Sequence, residues 1–249
     1  MFQVKPSVLR KLVIQRLHKN GYYAVESDDM ETWSAIMDSK GAFVNPQFYP
    51  EIYGGREITL YNAKNDKFAG TIAWRYMESG DYVEDMVNGT AWLKAPDKLG
   101  WKGLDRGDFS ETVSGRIHSR GGLLVEDEGH RLSWWLTSLQ WTYAVEDNVD
   151  FVVSHASPAN AGAKLPTRIF GYSHIQSFEP HYGPQFAGPV QAHFVWSDKD
   201  EVLAEVNART VFLRQCKEPD LRYCAELYEK GMRQPPVPAE QERRLVAVS

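Results

Sequence analysis

The chain has 249 residues, of which 43% are hydrophobic and 24% charged, and its mean hydropathy is -0.46. These values describe an ordinary water-soluble chain that can bury a sizeable core, and they exclude a disordered, collagenous or disulfide-rich protein. The formal net charge is -5 and the isoelectric point is near 5.8. No broad positive field is available to attract a polyanion, so we expect no nucleic-acid partner.

The chain has two cysteines, Cys216 and Cys224, with no Cys or His companion at the spacing of a zinc site. We therefore expect no metal, and we interpret both residues as thiols in a reducing cytoplasm. Lys and Arg residues interrupt every apolar run among residues 1–20. This pattern predicts neither a signal peptide nor a membrane span, and hence no membrane partner.

Two helices and a hairpin are predicted in the first third of the chain. Apolar spacing predicts a helix over residues 7–20 and a second, short helix over residues 27–36. Residues 41–55, rich in Tyr and Phe and interrupted by prolines, are expected to form an extended loop. Residues 58–61 and 68–76 flank a polar turn, which predicts an antiparallel hairpin.

Strands and helices alternate in the rest of the chain, after a polar stretch. Residues 78–112 are rich in glycine and weakly periodic, which is typical of an insertion. Predicted after it are a strand at 115–125, a helix at 132–143, a strand at 150–154, a helix at 160–170 and a strand at 190–196. Residues 231–249 are expected to form a flexible tail. The order favours one mixed sheet in a single domain of residues 1–230.

The most informative segment is a strand followed by a short loop and a helix. The strand ends in Leu124-Val125, the loop holds Gly129, and the helix begins near Arg131. Such a unit points several backbone N–H groups and the positive end of a helix dipole at one place, where an anion such as a pyrophosphate is stabilised. The alternative is a turn without a ligand, since every α/β protein contains turns of this kind.

Two motifs around this unit resemble those of the GNAT superfamily of N-acyltransferases. Residues 123–133, LLVEDEGHRLS, are similar to its acyl-CoA-binding motif, in which a strand leads into a Q/R-x-x-G-x-G/A loop and a helix. The NAGA sequence at 160–163, followed by Gly-Tyr at 171–172, is similar to the N-x-x-A…G-F signature of that family. With the hairpin and the last strand, the resemblance covers most of residues 57–196.

Three residues depart from the family pattern. Glu126 stands where the family has Gln or Arg, and Arg131 stands where it has a small residue. Thr167 falls where many members carry the Tyr that protonates the leaving thiolate. The leaving thiolate would therefore be protonated by another acid or by a water molecule. The alternative is that the protein does not catalyse the transfer.

The resemblance implies an α/β (α+β) fold with a mixed, mainly antiparallel central sheet flanked by helices, an insertion and a C-terminal extension. It implies acetyl-CoA or another acyl-CoA as co-substrate, no metal, and direct attack of an amine on the thioester. Leu124 and Val125 would orient the thioester, and Asn160 would lie near the pantetheine or acyl end. The residues implied to hold phosphate are Gly129, His130, Arg131, Leu132 and Ser133.

The resemblance also needs a base, and three residues are candidates for it. Glu126 ends the strand that precedes the loop, and His118 lies inside that strand. His155, just past the next strand, can serve as a base or as an acid. The competing interpretations are a solvated helix cap for the glutamate and hydrogen-bonded core residues for the histidines.

The residues that would bind the acceptor are predicted only from their residue type. Tyr53, Trp74 and Tyr76 are expected to provide stacking or cation–π contacts to the acceptor, unless they belong to the core. The expected function is transfer of an acetyl group from acetyl-CoA to a small-molecule amine or a peptide. The alternatives are a GNAT-fold protein that binds a ligand or partner without catalysis, and a different α/β protein whose motifs match by coincidence. Acyl length and homodimer formation stay open.

Overall fold

The structure is a computed structural model that describes residues 5–40, 54–91, 106, 109–126, 128–181 and 190–231. The helices are α1 (Pro6–Lys19), α2 (Met30–Ser39), α3 (Tyr82–Asn88), α4 (Leu132–Glu146), α5 (Pro158–Gly162), α6 (Lys199–Gln215) and α7 (Leu221–Gly231). A 3-10 turn at Glu128–His130 and a π-helical turn at Pro166–Phe170 complete the helical segments. The strands are β1 (Tyr22–Ser27), β2 (Gly55–Asn62), β3 (Phe68–Ser79), β4 (Gly115–Val125), β5 (Phe151–Ala156), β6 (His174–His181) and β7 (Val190–Asp198).

The seven strands form one sheet in the order β1-β2-β3-β4-β5-β7-β6. Every neighbouring pair is antiparallel except β4 and β5, which run parallel. A parallel pair requires a crossover connection, and α4 provides it here. The mixed, mainly antiparallel sheet with flanking helices that the sequence predicted is confirmed.

Helices cover both faces of the sheet. On one face, Leu9 of α1 and Trp135 of α4 share a hydrophobic core with Trp74 of β3. On the other face, Trp33 of α2 packs with Ala73 of β3, and α3 packs against β4 and β7. Ala73 and Trp74 reach opposite faces because side chains alternate along a strand. We call these two sides the α4 face and the α2 face.

The helix α4 lies at the centre of its face and is buried nearly all round. It packs against the sheet on one side and against α1, α6 and α7 on the other. Arg10 of α1 donates to the Thr142 hydroxyl at 3.1 Å, and the ring of Trp134 lies 5.3 Å from that of Tyr228 in α7. A helix surrounded in this way holds both of its ends in fixed positions relative to the strands.

Most predicted elements are confirmed where the structure describes them, including both N-terminal helices, the hairpin, β4, α4, β5 and β7. The helix predicted over residues 160–170 is divided into α5 and the π-helical turn. Lys164 has a φ of +55°, and Pro166 has no N–H to continue an α-helix from the preceding turn. Outside the described residues lie the aromatic loop at 41–53, most of the insertion (92–105 and 107–108) and the tail (232–249).

Five elements were not predicted: β1, α3, which lies inside the predicted insertion, β6, α6 and α7. The start of α6 carries a complete capping box, which is a local sequence signal. The Asp198 carboxylate accepts from the Glu201 amide at 2.9 Å, and the Glu201 carboxylate accepts from the Asp198 amide at 3.0 Å. Within the described segments, every helix is too short or too polar to cross a membrane.

Candidate active site

The sheet opens into a gap between its two parallel strands. β4 and β5 pair from Ile117–Phe151 to Arg120–Ser154, and there their pairing ends. Beyond this point β4 continues to Val125 paired only with β3, and the last two residues of β5 pair only with β7. In the described sheet, the β4 backbone beyond Arg120 therefore has no strand partner on its β5 side.

A cavity of about 400 Å³ fills this gap, and we call it the splay cavity. It is lined by Met37 of α2; Arg120, Gly121, Gly122, Leu123 and Leu124 of β4; Ser154, His155 and Ala156 of β5; and Ser157, Asn160, Pro166, Phe170, Tyr172 and Val195. Its inner end lies where β4 and β5 part. Beyond Leu124, the last β4 residue of the lining, the chain continues into the loop that the sequence motifs single out, and we call this loop and the first turn of α4 the outer end.

Two adjacent glycines shape the β4 wall of the splay cavity. Register with β3 shifts between Thr71 and Ala73, opposite these glycines. Gly122 has a φ of +59°, and a Cβ on it would lie 2.3 Å from the indole ring of Trp33. Both the backbone conformation and the close contact therefore require glycine at this position. The Trp33 indole N–H donates to the Thr71 hydroxyl at 3.1 Å, which fixes the ring beside the gap.

The outer end consists of the 3-10 turn and the first turn of α4, which follow β4 in the chain and do not line the splay cavity. Arg131 occupies the N-cap position with a φ of +55°, and its side chain makes no capping hydrogen bond. The first turn of α4 contains no acidic residue. The positive end of a 15-residue helix is therefore without a side-chain acceptor of its own, which suits an anion at this position.

The inner end is formed by Arg120, Ser154 and Tyr172. Nη1 of Arg120 donates to Oε1 of Gln140 at 2.8 Å. The Arg120 guanidinium carbon lies 4.4 Å from the ring centroid of Tyr172 and 5.0 Å from that of Trp141. Arg120 is only 3% exposed, and Tyr172 is equally buried. A charged side chain therefore lies in the interior, against two aromatic rings.

Burial changes the proton affinities at the inner end. Burial lowers the pKa of the Arg120 guanidinium, and the Tyr172 phenol acts in the opposite direction. Burial raises the pKa of Tyr172, which the Arg120 charge and the Ser154 hydroxyl partly offset. The inner end accordingly holds a cation next to a neutral phenol at neutral pH.

The three predicted bases lie in different places. His155 lines the splay cavity; its Nε2 lies 2.9 Å from the Met86 sulfur and its ring 5.8 Å from that of Phe194. Glu126 is bound to Lys40 in an ion pair of 2.9 Å, is 42% exposed in its side chain, and does not line the cavity. Of these two residues, only the histidine adjoins the gap.

His118 belongs to the α4 face, away from the splay cavity. Its side chain is fully buried, and its Nε2 lies 2.9 Å from Oδ2 of Asp147. Burial lowers the pKa of His118, and the Asp147 carboxylate partly opposes this effect. His118 also pairs with Tyr76 across the ladder between β4 and β3, so it lies beneath an exposed aromatic ring.

Two of the predicted acceptor residues line a second, larger cavity of about 710 Å³, which we call the hairpin cavity. Its lining residues are Asp28, Met30, Gly54, Gly55, Arg56, Trp74, Tyr76 and Asp147. Tyr76 is 39% exposed there, whereas Trp74 is 1% exposed and packs mainly in the core. Tyr53 lies outside the described residues. Trp74 is the register partner of Arg120, so the two cavities meet at this pair of strands.

The predicted cofactor residues divide between the wall and the outer end. Leu124 and Asn160 line the splay cavity. Val125 ends β4 beside Gly70 of β3. Gly129, His130, Arg131, Leu132 and Ser133 form the 3-10 turn and the beginning of α4. Thr167 does not line the cavity, and its hydroxyl donates to the Lys164 carbonyl at 3.3 Å.

Sequence reasoning did not select Arg120 and Tyr172 as site residues. The local signal for Arg120 was a charged residue directly before Gly-Gly, a pair that is typical of a bulge or a close backbone approach. For Tyr172, only its position in the second motif pointed to the gap. Among the described residues, there is no cluster of three or more His, Cys, Asp or Glu residues that could hold a metal.

The topology and the gap together define the class of fold. A mixed seven-stranded sheet, antiparallel except for β4 and β5, has its parallel pair parting at one end and its crossover helix beginning beside the gap. This is a GNAT-like α/β fold, as the resemblance of the two motifs implied.

Solved structures of similar fold carry the names of acyltransferases. An N-acyl amino acid synthase, FeeM, from uncultured soil microbes is 13% identical, with a TM-score of 0.38 over 85% of this chain and 92% of its own. Arabidopsis thaliana NAA60 in complex with acetyl-CoA is 11% identical, with a TM-score of 0.46 over 72% and 98%. A GCN5-related N-acetyltransferase from Brucella melitensis is 10% identical, with a TM-score of 0.44 over 90% and 86%. No family model and no curated protein sequence matches the chain.

Proposed function

We propose that the protein is an acyl-CoA-dependent N-acyltransferase, which most simply transfers an acetyl group from acetyl-CoA to an amine. The single observation that carries this proposal is the splay cavity between β4 and β5. Beyond Arg120 the inner edge of β4 offers backbone N–H and C=O groups that no strand uses. An extended chain with amide groups, such as pantetheine, can satisfy these groups as a strand would.

The outer end, at the start of α4, suits the phosphates of the same ligand. The start of α4 has no side-chain cap and no acidic residue in its first turn, so its amides are available to a pyrophosphate. The ion pair between Lys40 and Glu126 neutralises the nearest described carboxylate of the motif. Leu124 and Asn160 would then contact the pantetheine between the phosphates and the inner end.

The reaction needs little more than positioning and a proton acceptor. The amine nitrogen attacks the thioester carbonyl, the C–N bond forms, and the C–S bond breaks with release of CoA. We propose that His155, the candidate base that lines the cavity, accepts the proton of the amine. We assign the acceptor to the side of the hairpin cavity, where Tyr76 presents an exposed ring close to the Trp74–Arg120 pair. The two free thiols are in keeping with a cytoplasmic protein.

Calorimetry with CoA and acetyl-CoA tests the binding site. We expect Gly129→Asp to weaken CoA binding roughly threefold to tenfold, because it adds a negative charge beside the start of α4. The control is Gly80→Asp, at a turn where an added Cβ meets no atom within 4 Å, which should bind CoA like the wild type. Absence of binding at millimolar CoA would refute the proposal.

A second candidate function is a GNAT-like protein that binds acyl-CoA without transferring the acyl group. The specific observation in its favour is Thr167, which stands where the family has its tyrosine acid and lies outside the cavity lining. Release of free CoA from acetyl-CoA with a panel of amines decides between the two functions. His155→Gln should then lower turnover without changing CoA affinity. His174→Gln, on β6 beside Glu201, is the matched control.

A further inference from the structure

We propose that the inner end of the splay cavity binds a carboxylate group of a substrate, held by the Arg120 guanidinium and the Tyr172 hydroxyl. This inference deepens the proposed function and rests on it, since it assigns a chemical class to the molecule that reacts in the cavity. It is carried by a buried charge without an ion-pair partner and by neighbouring buried donors that make no hydrogen bond of normal geometry.

The first observation is the isolation of the Arg120 charge. No carboxylate of the described residues forms an ion pair with Arg120, whose hydrogen bond of normal geometry goes to the neutral amide of Gln140. A buried charge is costly unless it is paired, so native proteins rarely leave one in this state without a ligand. The cavity that Arg120 lines is the place from which a counter-charge can come.

The neighbouring Arg209 shows how the same fold treats a buried arginine with a structural role. Arg209 is fully buried, and its Nε donates to the Glu205 carboxylate at 2.5 Å. Its other nitrogens donate to two backbone carbonyls and two hydroxyls. The Glu205 carboxylate is thereby committed to Arg209 and also accepts from Tyr228 at 3.2 Å. It attracts Arg120 only from a distance and forms no ion pair with it, so the guanidinium of Arg120 can still bind another anion.

The second observation is the set of donors around Arg120. The Tyr172 hydroxyl is buried; the Ser154 hydroxyl and the Arg120 guanidinium lie close to it, but it forms no hydrogen bond of normal geometry in the described part of the chain. Nε2 of Gln140 is likewise buried without a partner, and the bond from Arg120 to Oε1 fixes which end of that amide faces the arginine. Buried polar groups are normally satisfied, so donors left together point to an acceptor that is bound during function.

The charge and the position favour a carboxylate over the other anions of the reaction. Arg120 is bonded to Gln140, which lies eight residues and about 12 Å along α4 from Leu132, too far for the phosphates held at the start of that helix. A reaction oxyanion exists only briefly and leaves the ground-state charge uncompensated. A carboxylate carries a permanent charge, and its two oxygens match the planar guanidinium fork.

The carboxylate has two possible sources that share this chemistry. An amino acid used as acceptor carries one next to its amine, and a dicarboxylic acyl group carries one at the end of its chain. Matched pairs of probes distinguish these sources. The acceptor pair is L-phenylalanine and 2-phenylethylamine, titrated with CoA bound. The acyl pair is succinyl-CoA and butyryl-CoA, which differ in a terminal carboxylate.

The key variants are Tyr172→Phe and Arg120→Met. Tyr172→Phe removes a hydroxyl that makes no hydrogen bond of normal geometry, so the melting temperature of this variant should stay close to that of the wild type. It should weaken the carboxylate member of one pair roughly fivefold, and Arg120→Met should do so roughly 10- to 100-fold, with the uncharged member unchanged. The control is Tyr82→Phe, which loses a hydroxyl bond of 2.9 Å to Ser119 on the α2 face of the sheet and should keep the preference.

If the variants lose the preference for the carboxylate member of either pair, the inference is supported, and that pair identifies the source of the carboxylate. If CoA binds but neither pair shows a preference, the inference is overturned and the proposed function stands. If Arg120→Met slows turnover equally for both members of each pair, Arg120 serves the reaction and the inference is also overturned. If CoA does not bind, the proposed function falls; the carboxylate site then stands only if L-phenylalanine binds alone and Arg120→Met abolishes that binding.

Discussion

Glu57 makes the stability of the protein depend on pH in a predictable direction. The residue lies on β2 and is 6% exposed. Its Oε2 accepts from the Thr59 hydroxyl at 2.6 Å and from the Thr71 hydroxyl at 3.4 Å. Burial raises the pKa of Glu57 from 4.5 to about 7, with a smaller contribution from Glu26, and the two hydroxyls limit the rise. The carboxyl group is therefore neutral in the folded protein at a pH where the unfolded chain has lost the proton.

The direction of the pH dependence follows from the number of protons that the folded and unfolded states hold at Glu57. Between pH 4.5 and about 7 the folded state holds more protons at Glu57 than the unfolded state does. Stability contributed by this group is thus complete below pH 4.5 and is lost as the pH rises through 7. At about 1.4 kcal/mol for each tenfold change in proton affinity, the full effect is about 3 kcal/mol. Residual contact with solvent reduces it, so we expect about 2 to 3 kcal/mol.

Urea unfolding of the wild type and Glu57→Gln at pH 5 and pH 8 measures this effect. Gln keeps the shape and the acceptor oxygen of the neutral acid but cannot ionise. The free energy of unfolding of Glu57→Gln should therefore rise by about 2 to 3 kcal/mol relative to that of the wild type between pH 5 and pH 8. Glu31→Gln, an exposed change on α2, is the control and should follow the wild type. Equal pH dependence in the wild type and Glu57→Gln would refute the reasoning.

Three further outcomes are expected. Gly122→Ala should cost at least about 1 to 2 kcal/mol from its positive φ alone and should displace the Trp33 ring; unchanged melting and tryptophan fluorescence would contradict the close contact. Arg209→Met should cost about 3 to 5 kcal/mol in urea unfolding because it leaves the Glu205 carboxylate buried alone, and adding Glu205→Leu should recover most of this, which a purely packing role would not. Burial raises the pKa of Cys224 to about 12, so at pH 8 about one thiol in 10,000 is ionised; mass spectrometry should find it unmodified by iodoacetamide until urea is added, and rapid modification of the native protein would count against its burial.

The elements that the sequence predicted are those with a strong local pattern. α1 and α4 repeat apolar residues every three or four positions, and β4 ends directly before the turn that starts α4. β1 has no such pattern, because it is an edge strand whose identity comes from its pairing with β2. The division of the helix predicted at 160–170 depended on the backbone at Lys164, which no spacing rule predicts.

The sequence predicted the location of the candidate site but not the residues of its inner end. The loop before α4 and Asn160 follow from motifs of consecutive residues, and both lie at the gap. Arg120 and Tyr172 meet only because β4 and the segment after the π-helical turn converge in three dimensions. The choice among the three bases also required the fold, since the alternation of side chains along β4 and β5 decides which of them faces the cavity.

The parting of β4 and β5 leaves an edge strand in the middle of a sheet. Edges normally invite pairing with other chains, and proteins usually protect them with charges or prolines. Here the Gly-Gly-Leu-Leu edge carries neither, and it lies recessed between α2 on one side and α5 on the other. Because strands pack about 4.8 Å apart, an opening of this kind accepts one narrow extended chain more readily than a folded segment. The same recess that protects the protein from aggregation thus also selects the shape of what can enter it.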